Sequence, residues 1–140
     1  MKALLDTSVI VAALIEDEPH HAACLRLLGG KGHCIHSHAL AETFSTLTGG
    51  KLGLRLPAST AAELIEASVL PRVEVVSLTP REMFQVIAAA ESLGVRGGGI
   101  YDLMHHAAAR KAHAEKLFTL NVRHFTAFTQ RGDAEIVMPR

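Results

Sequence analysis

Short apolar runs alternate along the chain with longer stretches of helical period. Five runs read as strands: "KALLD" (2–6), "HCIHS" (33–37), "VEVVSL" (73–78), "KLFTL" (116–120) and "EIVM" (135–138). Between the first two lie "TSVIVAALI" and, after Pro19, "HHAACLRLL", which runs into Gly29 and Gly30 as a helix end should. Between the second and third lie "HALAETFSTLTGG", with Ser37 as its expected cap, and "STAAELIEASVL", where Thr60 and Glu63 have capping-box spacing. "LTPREMFQVIAAAESLG" is the clearest helix: Thr79 caps it, Pro80 opens it, Glu82 closes the box and Gly94 stops it. "IYDLMHHAAARKA" then runs as a helix into the fourth strand. Strands alternating with helices predict an α/β protein whose central, mainly parallel sheet of four to five strands is covered on both faces. No repeat, linker or low-complexity segment interrupts the pattern, so residues 1–140 are expected to form a single domain.

Composition narrows the setting. A chain of 140 residues with 49% hydrophobic content can bury one sizeable core. Fourteen Lys plus Arg balance fourteen Asp plus Glu, so no overall field draws the molecule to polyanions or membranes. Local patches must hold any nucleic acid. Cys24 and Cys34 are too few for a disulfide framework, Asp6 interrupts "MKALLDTS" before a signal sequence can form, and "VIVAALI" (9–15) is far short of a membrane span. A soluble, cytoplasmic protein without membrane contact is expected.

In an open parallel sheet, ligands bind outside the carboxyl ends of the strands, where strand order reverses. Asp6 ends the first strand and leads into Thr7, Ser8 and a helix. Glu42 lies in the helix after the second strand, Asp102 in the first turn of the helix before the fourth, and Thr119 and Asn121 at the end of the fourth. Three carboxylates and an amide can thus converge from four segments. Singly, each has a plain alternative: Asp6 is a good N-cap, Glu42 suits a solvated helix face, and Asp102 complements the helix dipole. Together they would repel one another and raise each other's pKa, a cost usually met by a bound cation. An all-oxygen set suits Mg²⁺ or Mn²⁺.

Nine histidines invite a zinc reading, with Cys34, His36 and His38 alternating in "HCIHSH". A zinc site takes four ligands from more than one segment, and no second Cys/His pair at ligand spacing stands out. Cys34 reads as a small buried residue, and His20 and His21 as an exposed helix start. His105 and His106 lie three and four residues after Asp102, within reach of it on the same helix. Either can orient that acid; ordinary packing is the alternative. Tyr101 can stack on a base but is expected to pack. The glycines of "GGGIYDLMHH" are expected to let the backbone turn tightly into the helix start beside phosphate and metal.

The ordered set "LLDTSVIVAAL", "DEPHHAA", "HSHALAETFSTL", "GGGIYDLMHHAAARKA" and "LFTLNVRHF" resembles the PIN domains, and among them the small VapC-type toxins of toxin–antitoxin pairs, over nearly the whole chain. The resemblance implies a three-layer α/β/α fold and a Mg²⁺- or Mn²⁺-dependent endoribonuclease, homodimeric and inhibited by a small antitoxin protein. It carries the acids over to Asp6, Glu42 and Asp102, with supporting hydroxyls at Thr7 or Ser8 and at Thr119. Asn121 stands where many relatives carry Asp, and His124 where others carry an acid. An amide holds water without bringing charge, so one metal ion is expected rather than two. On this view Asp6 and Asp102 hold the metal, Glu42 holds it or orients the attacking water, and Lys51, Arg55, Arg96 and Arg123 are candidate phosphate contacts for RNA. The rivals are a phosphoacceptor or aspartate-nucleophile phosphatase, which lack their further acids here, and a catalytically weakened PIN fold that binds RNA or protein without cutting.

Overall fold

In the computed structural model, which describes residues 2–140, five short strands form one parallel sheet in the order β3-β2-β1-β4-β5. These are β1 (Ala3–Leu5), β2 (His33–His36), β3 (Glu74–Val76), β4 (Lys116–Phe118) and β5 (Glu135–Val137). All five lie inside the runs expected from the sequence. The chain starts at the centre, builds outward to β3, then returns to place β4 against β1 (Leu4 opposite Leu117). Strand order therefore reverses between β1 and β4.

Side chains alternate across the sheet, as a pleat requires. Ala3 and Leu5 of β1, Ile35 of β2 and Phe118 of β4 face one core with α1 (Thr7–Leu14), α2 (His21–Leu28) and Ala39 of α3 (His38–Thr48). Leu4, Cys34 and Leu117 face the other, with Leu103 and Ala108 of α6 (Gly99–Lys111) and Phe125 of α7 (Val122–Thr126). Helices α4 (Ala58–Leu64) and α5 (Pro80–Ala89) complete the outer layers. The result is the three-layer α/β/α arrangement expected.

Local signals succeed where the backbone supplies their geometry. Thr79 and Glu82 form the full capping box at the start of α5, and Gly94 adopts the left-handed stop at φ 71°. Two expected caps are corrected. Ser37 makes no side-chain cap bond and is itself helical, at φ −56° and ψ −33°. The Thr60–Glu63 box does not form, because α4 already starts at Ala58 behind Pro57, putting Thr60 inside the helix. That helix continues through a wide turn, Ile65–Val69, to Pro71. Among the described residues, no helix is long and apolar enough to cross a membrane.

Candidate active site

The reversal of strand order leaves a cleft of about 490 Å³ at the carboxyl ends of β1 and β4. Asp6, Glu42, Asp102 and Asn121 all line it, together with Thr7, Ser8, Lys51 and His105. Four segments distant in sequence thus meet along one wall.

Asp6 caps α1 and is 3% exposed. Its Oδ1 accepts from the Ser8 hydroxyl at 2.5 Å and from the Val9 N–H at 3.3 Å. Its Oδ2 accepts from the buried Thr119 hydroxyl at 2.7 Å. Both hydroxyls also receive a backbone N–H from the segment after β4: Leu120 donates to Ser8 and Asn121 to Thr119. Asp6 is thereby tied to the neighbouring strand end through two short relays, and capping and site-building are one arrangement. Three donors leave a carboxylate one of about four lone-pair sites. Burial raises the Asp6 pKa, against the opposing charge of His105 and the bonds from Ser8 and Thr119.

Glu42 is controlled by two histidines. Its Oε1 accepts from His105 Nε2 at 2.8 Å and from His38 Nδ1 at 3.0 Å, and its Oε2 has no partner among the described residues. Burial would raise its pKa, but the bond and charge of His105, followed by those of His38, bring it down to about 2. Reciprocally, burial opposes the charged form of His105, and the bond to Glu42 with the charges of Asp6, Glu42 and Asp102 outweighs it, so its pKa is raised. His105 therefore orients Glu42, not Asp102 as its sequence spacing suggested. Its neighbour His106 turns away, to the Thr129 hydroxyl at 3.2 Å and the Phe128 ring.

Asp102 is half-buried, and its Oδ2 lies 3.6 Å from Nδ1 of the exposed His124. Burial raises its pKa, His105 pulls it back, and Asp6 and Glu42 push it up again. The three acids thus share one field. Asn121 is exposed and makes no side-chain cap bond to α7.

The donor set fits a hard divalent cation: three carboxylates, an amide and hydroxyls, all oxygen, with two of the acids disfavoured as bare charges. Among the described residues, no three acid, histidine or cysteine side chains are drawn close enough to enclose an ion. Asp6 and Glu42 are instead held by their own hydrogen-bond partners, and among the same residues Asp102 meets only His124, at 3.6 Å.

Of the candidate cations, Lys51 lines this cleft, whereas Arg96 and Arg123 line an adjoining groove of about 540 Å³ that also contains Asp102. Arg55 is exposed and lines neither. In the glycine run Gly97 needs its freedom, at φ 58°, and a Cβ on Gly99 would come within 3.0 Å of a Val95 methyl, whereas one on Gly98 would meet open space. His21 is half-buried, its Nδ1 bonded to the Ala12 carbonyl at 2.8 Å, not free on the surface. His38 was missed as a partner of Glu42, although the i,i+4 spacing carried that signal. Tyr101, expected to pack, is 43% exposed.

His36, 2% exposed at the end of β2, stands edge-on to His105 with centroids 5.8 Å apart. Burial, then the charges of His105 and His38, lower its pKa from 6.5 to about 4. Unfolded chains take up this proton below about pH 6.5, so the stability contributed by neutral His36 is complete above that pH and is lost as pH falls toward 4. The shift corresponds to about 3 kcal/mol. Urea melts at pH 7 and pH 4 should show His36→Gln losing less stability on acidification than the wild type, by up to that amount.

The PIN-domain family matches residues 3–128. Ribonuclease VapC27 of Mycobacterium tuberculosis is 32% identical over 111 residues, spanning 79% of this chain and 79% of the relative. The fold is similar to the crystal structure of Mycobacterium tuberculosis VapC20, described as a sarcin-ricin loop cleaving toxin, with TM-score 0.71 and 21% identity over 94% of this chain and 98% of that one. It is also similar to VapBC-1 from nontypeable Haemophilus influenzae, with TM-score 0.69 and 21% identity over 99% and 98%.

Proposed function

The chain belongs to the PIN-domain family, among its VapC ribonucleases, and from that premise we propose that it is the toxin of a toxin–antitoxin pair, an endoribonuclease that hydrolyses RNA phosphodiester bonds with one Mg²⁺ or Mn²⁺ ion. The observation that carries this is the single cleft lined by Asp6, Glu42, Asp102 and Asn121 at the reversal of strand order.

Asp6, through its remaining lone-pair site, and Asp102 would hold the ion, with Glu42 lining the same cleft. When bound, the ion supplies positive charge against the phosphate and acidifies water toward neutral pH. The relays from Ser8 and Thr119 keep the Asp6 carboxylate in one orientation, so little reorganisation remains at the moment of reaction. With a pKa near 2, Glu42 stays ionised but is a poor proton store at neutral pH. It serves as a fixed acceptor that orients the attacking water. Asn121 accepts a hydrogen bond at the same edge without adding charge. Lys51 on one side and Arg96 and Arg123 on the other would neutralise phosphates flanking the scissile bond.

The chain would work in the cytoplasm as a single domain over residues 1–140 and as a homodimer, restrained by a small antitoxin protein. The segment from α4 to Leu70 offers one such face: Ala61 and Val69 are buried, while Leu70 at its end remains exposed. Purified, antitoxin-free protein incubated with structured RNA and Mn²⁺ should produce discrete fragments. Binding without cleavage, measured in parallel, would instead assign a weakened PIN fold that only holds RNA.

A further inference from the structure

Tyr101 precedes Asp102 on α6, and its ring lies flat on the imidazole of His38, with centroids 4.6 Å apart and planes at 6°. A ring that merely packed would be covered, yet Tyr101 is 43% exposed. His38 is held in turn by Glu42, so the stack is tied to an acid of the cleft. Tyr101 and His38 wall an open groove with Ser45, Thr46 and Lys51, and Glu42, Thr46 and Lys51 line both this groove and the acid cleft. On the far side, Asp102 is shared with the groove containing Arg96 and Arg123. The acids therefore lie between an aromatic groove and an arginine groove, in one continuous track.

We propose that the Tyr101–His38 stack is a nucleobase platform, on which an unpaired base of the RNA substrate stacks while a neighbouring phosphate lies against Lys51. This rests on the ribonuclease reading and names the substrate feature that the site takes. A flat π-face accepts any base, so the platform selects for an unstacked base more than for its identity. Paired RNA keeps its bases inside the helix, so a loop, bulge or single strand is the fitting occupant. Cations at both ends of the track suit a phosphate-bearing strand passing through it.

The chain contains one tyrosine and no tryptophan, so its tyrosine emission comes from Tyr101 alone. In EDTA, where binding is separated from cleavage, a short oligouridylate should quench that emission saturably. By anisotropy of a labelled strand, Tyr101→Leu should weaken its binding roughly five- to one-hundred-fold, and Tyr101→Phe should retain it. An abasic ribose–phosphate strand should bind all three proteins alike. Wild-type RNA binding with silent Tyr101 emission, or an equal loss on the abasic strand, would overturn the platform and leave the ribonuclease reading standing. A wild-type chain that binds no RNA in EDTA would overturn the platform, and one that also cuts none with Mn²⁺ would overturn the ribonuclease reading with it. A change in emission caused by a small protein partner and not by RNA would give this face to a protein instead.

Discussion

Replacing Asp6 by Asn is expected to lower RNA cleavage roughly a thousandfold while the protein still folds. Asn keeps an oxygen that can cap α1 and accept from Ser8, so the local backbone retains its partners. The lost charge is one that burial disfavours in the metal-free protein, so the melting temperature should stay near the wild-type value. Asp102→Asn is expected to be as damaging to cleavage, since that carboxylate shares the field of Asp6 and Glu42. Initial rates on one structured RNA, measured beside thermal melts, separate lost chemistry from lost structure. Near-wild-type cleavage by either folded variant would contradict the assignment.

Phe125→Ala should cost about 3–5 kcal/mol of stability, a large part of the roughly 5–15 kcal/mol typical of a domain. Phe125 is fully buried and packs in the core of Leu4, Leu117 and Phe128. It is also the only buried residue of α7, which follows Asn121 and contains His124. The same truncation should therefore loosen one wall of the cleft as well as the core. Urea unfolding followed by circular dichroism checks the size of the effect; a loss below about 1 kcal/mol would contradict Phe125 as the anchor of that segment.

Much of this architecture is legible in single residues. Asp6, at the junction of an apolar strand and "TSVIVAAL", can point only to the strand's carboxyl edge, and β4 puts Thr119 at the same edge. Local chemistry predicts the Thr79 box because all its partners lie within one turn. Long-range partners are less accessible. Nothing local says that His105 meets Glu42, because that bond joins residues 63 positions apart. Helix α7 is too short to show a period, and the packing of Phe125 holds it. Ser37 fails as a cap because its own backbone is already helical, and Thr60 because Pro57 starts α4 early. Tyr101 reads as packing beside Asp102 until His38, from another helix, is found beneath its ring.

The central claim is that these acids cut RNA through a divalent ion, and the cleft also holds the other common apparatus for that task, a histidine, His105, beside the Glu42 carboxylate. The two chemistries leave different ends. Metal-ion hydrolysis gives a 5′ phosphate and a 3′ hydroxyl, whereas histidine-driven attack by the 2′ hydroxyl gives a cyclic phosphate. The direct measurement is the end chemistry of RNA cut by EDTA-treated protein before and after Mn²⁺ is added. Fragments appearing only with Mn²⁺ and carrying 5′ phosphates are predicted. Equal cleavage in EDTA, or cyclic phosphate ends, would contradict the account.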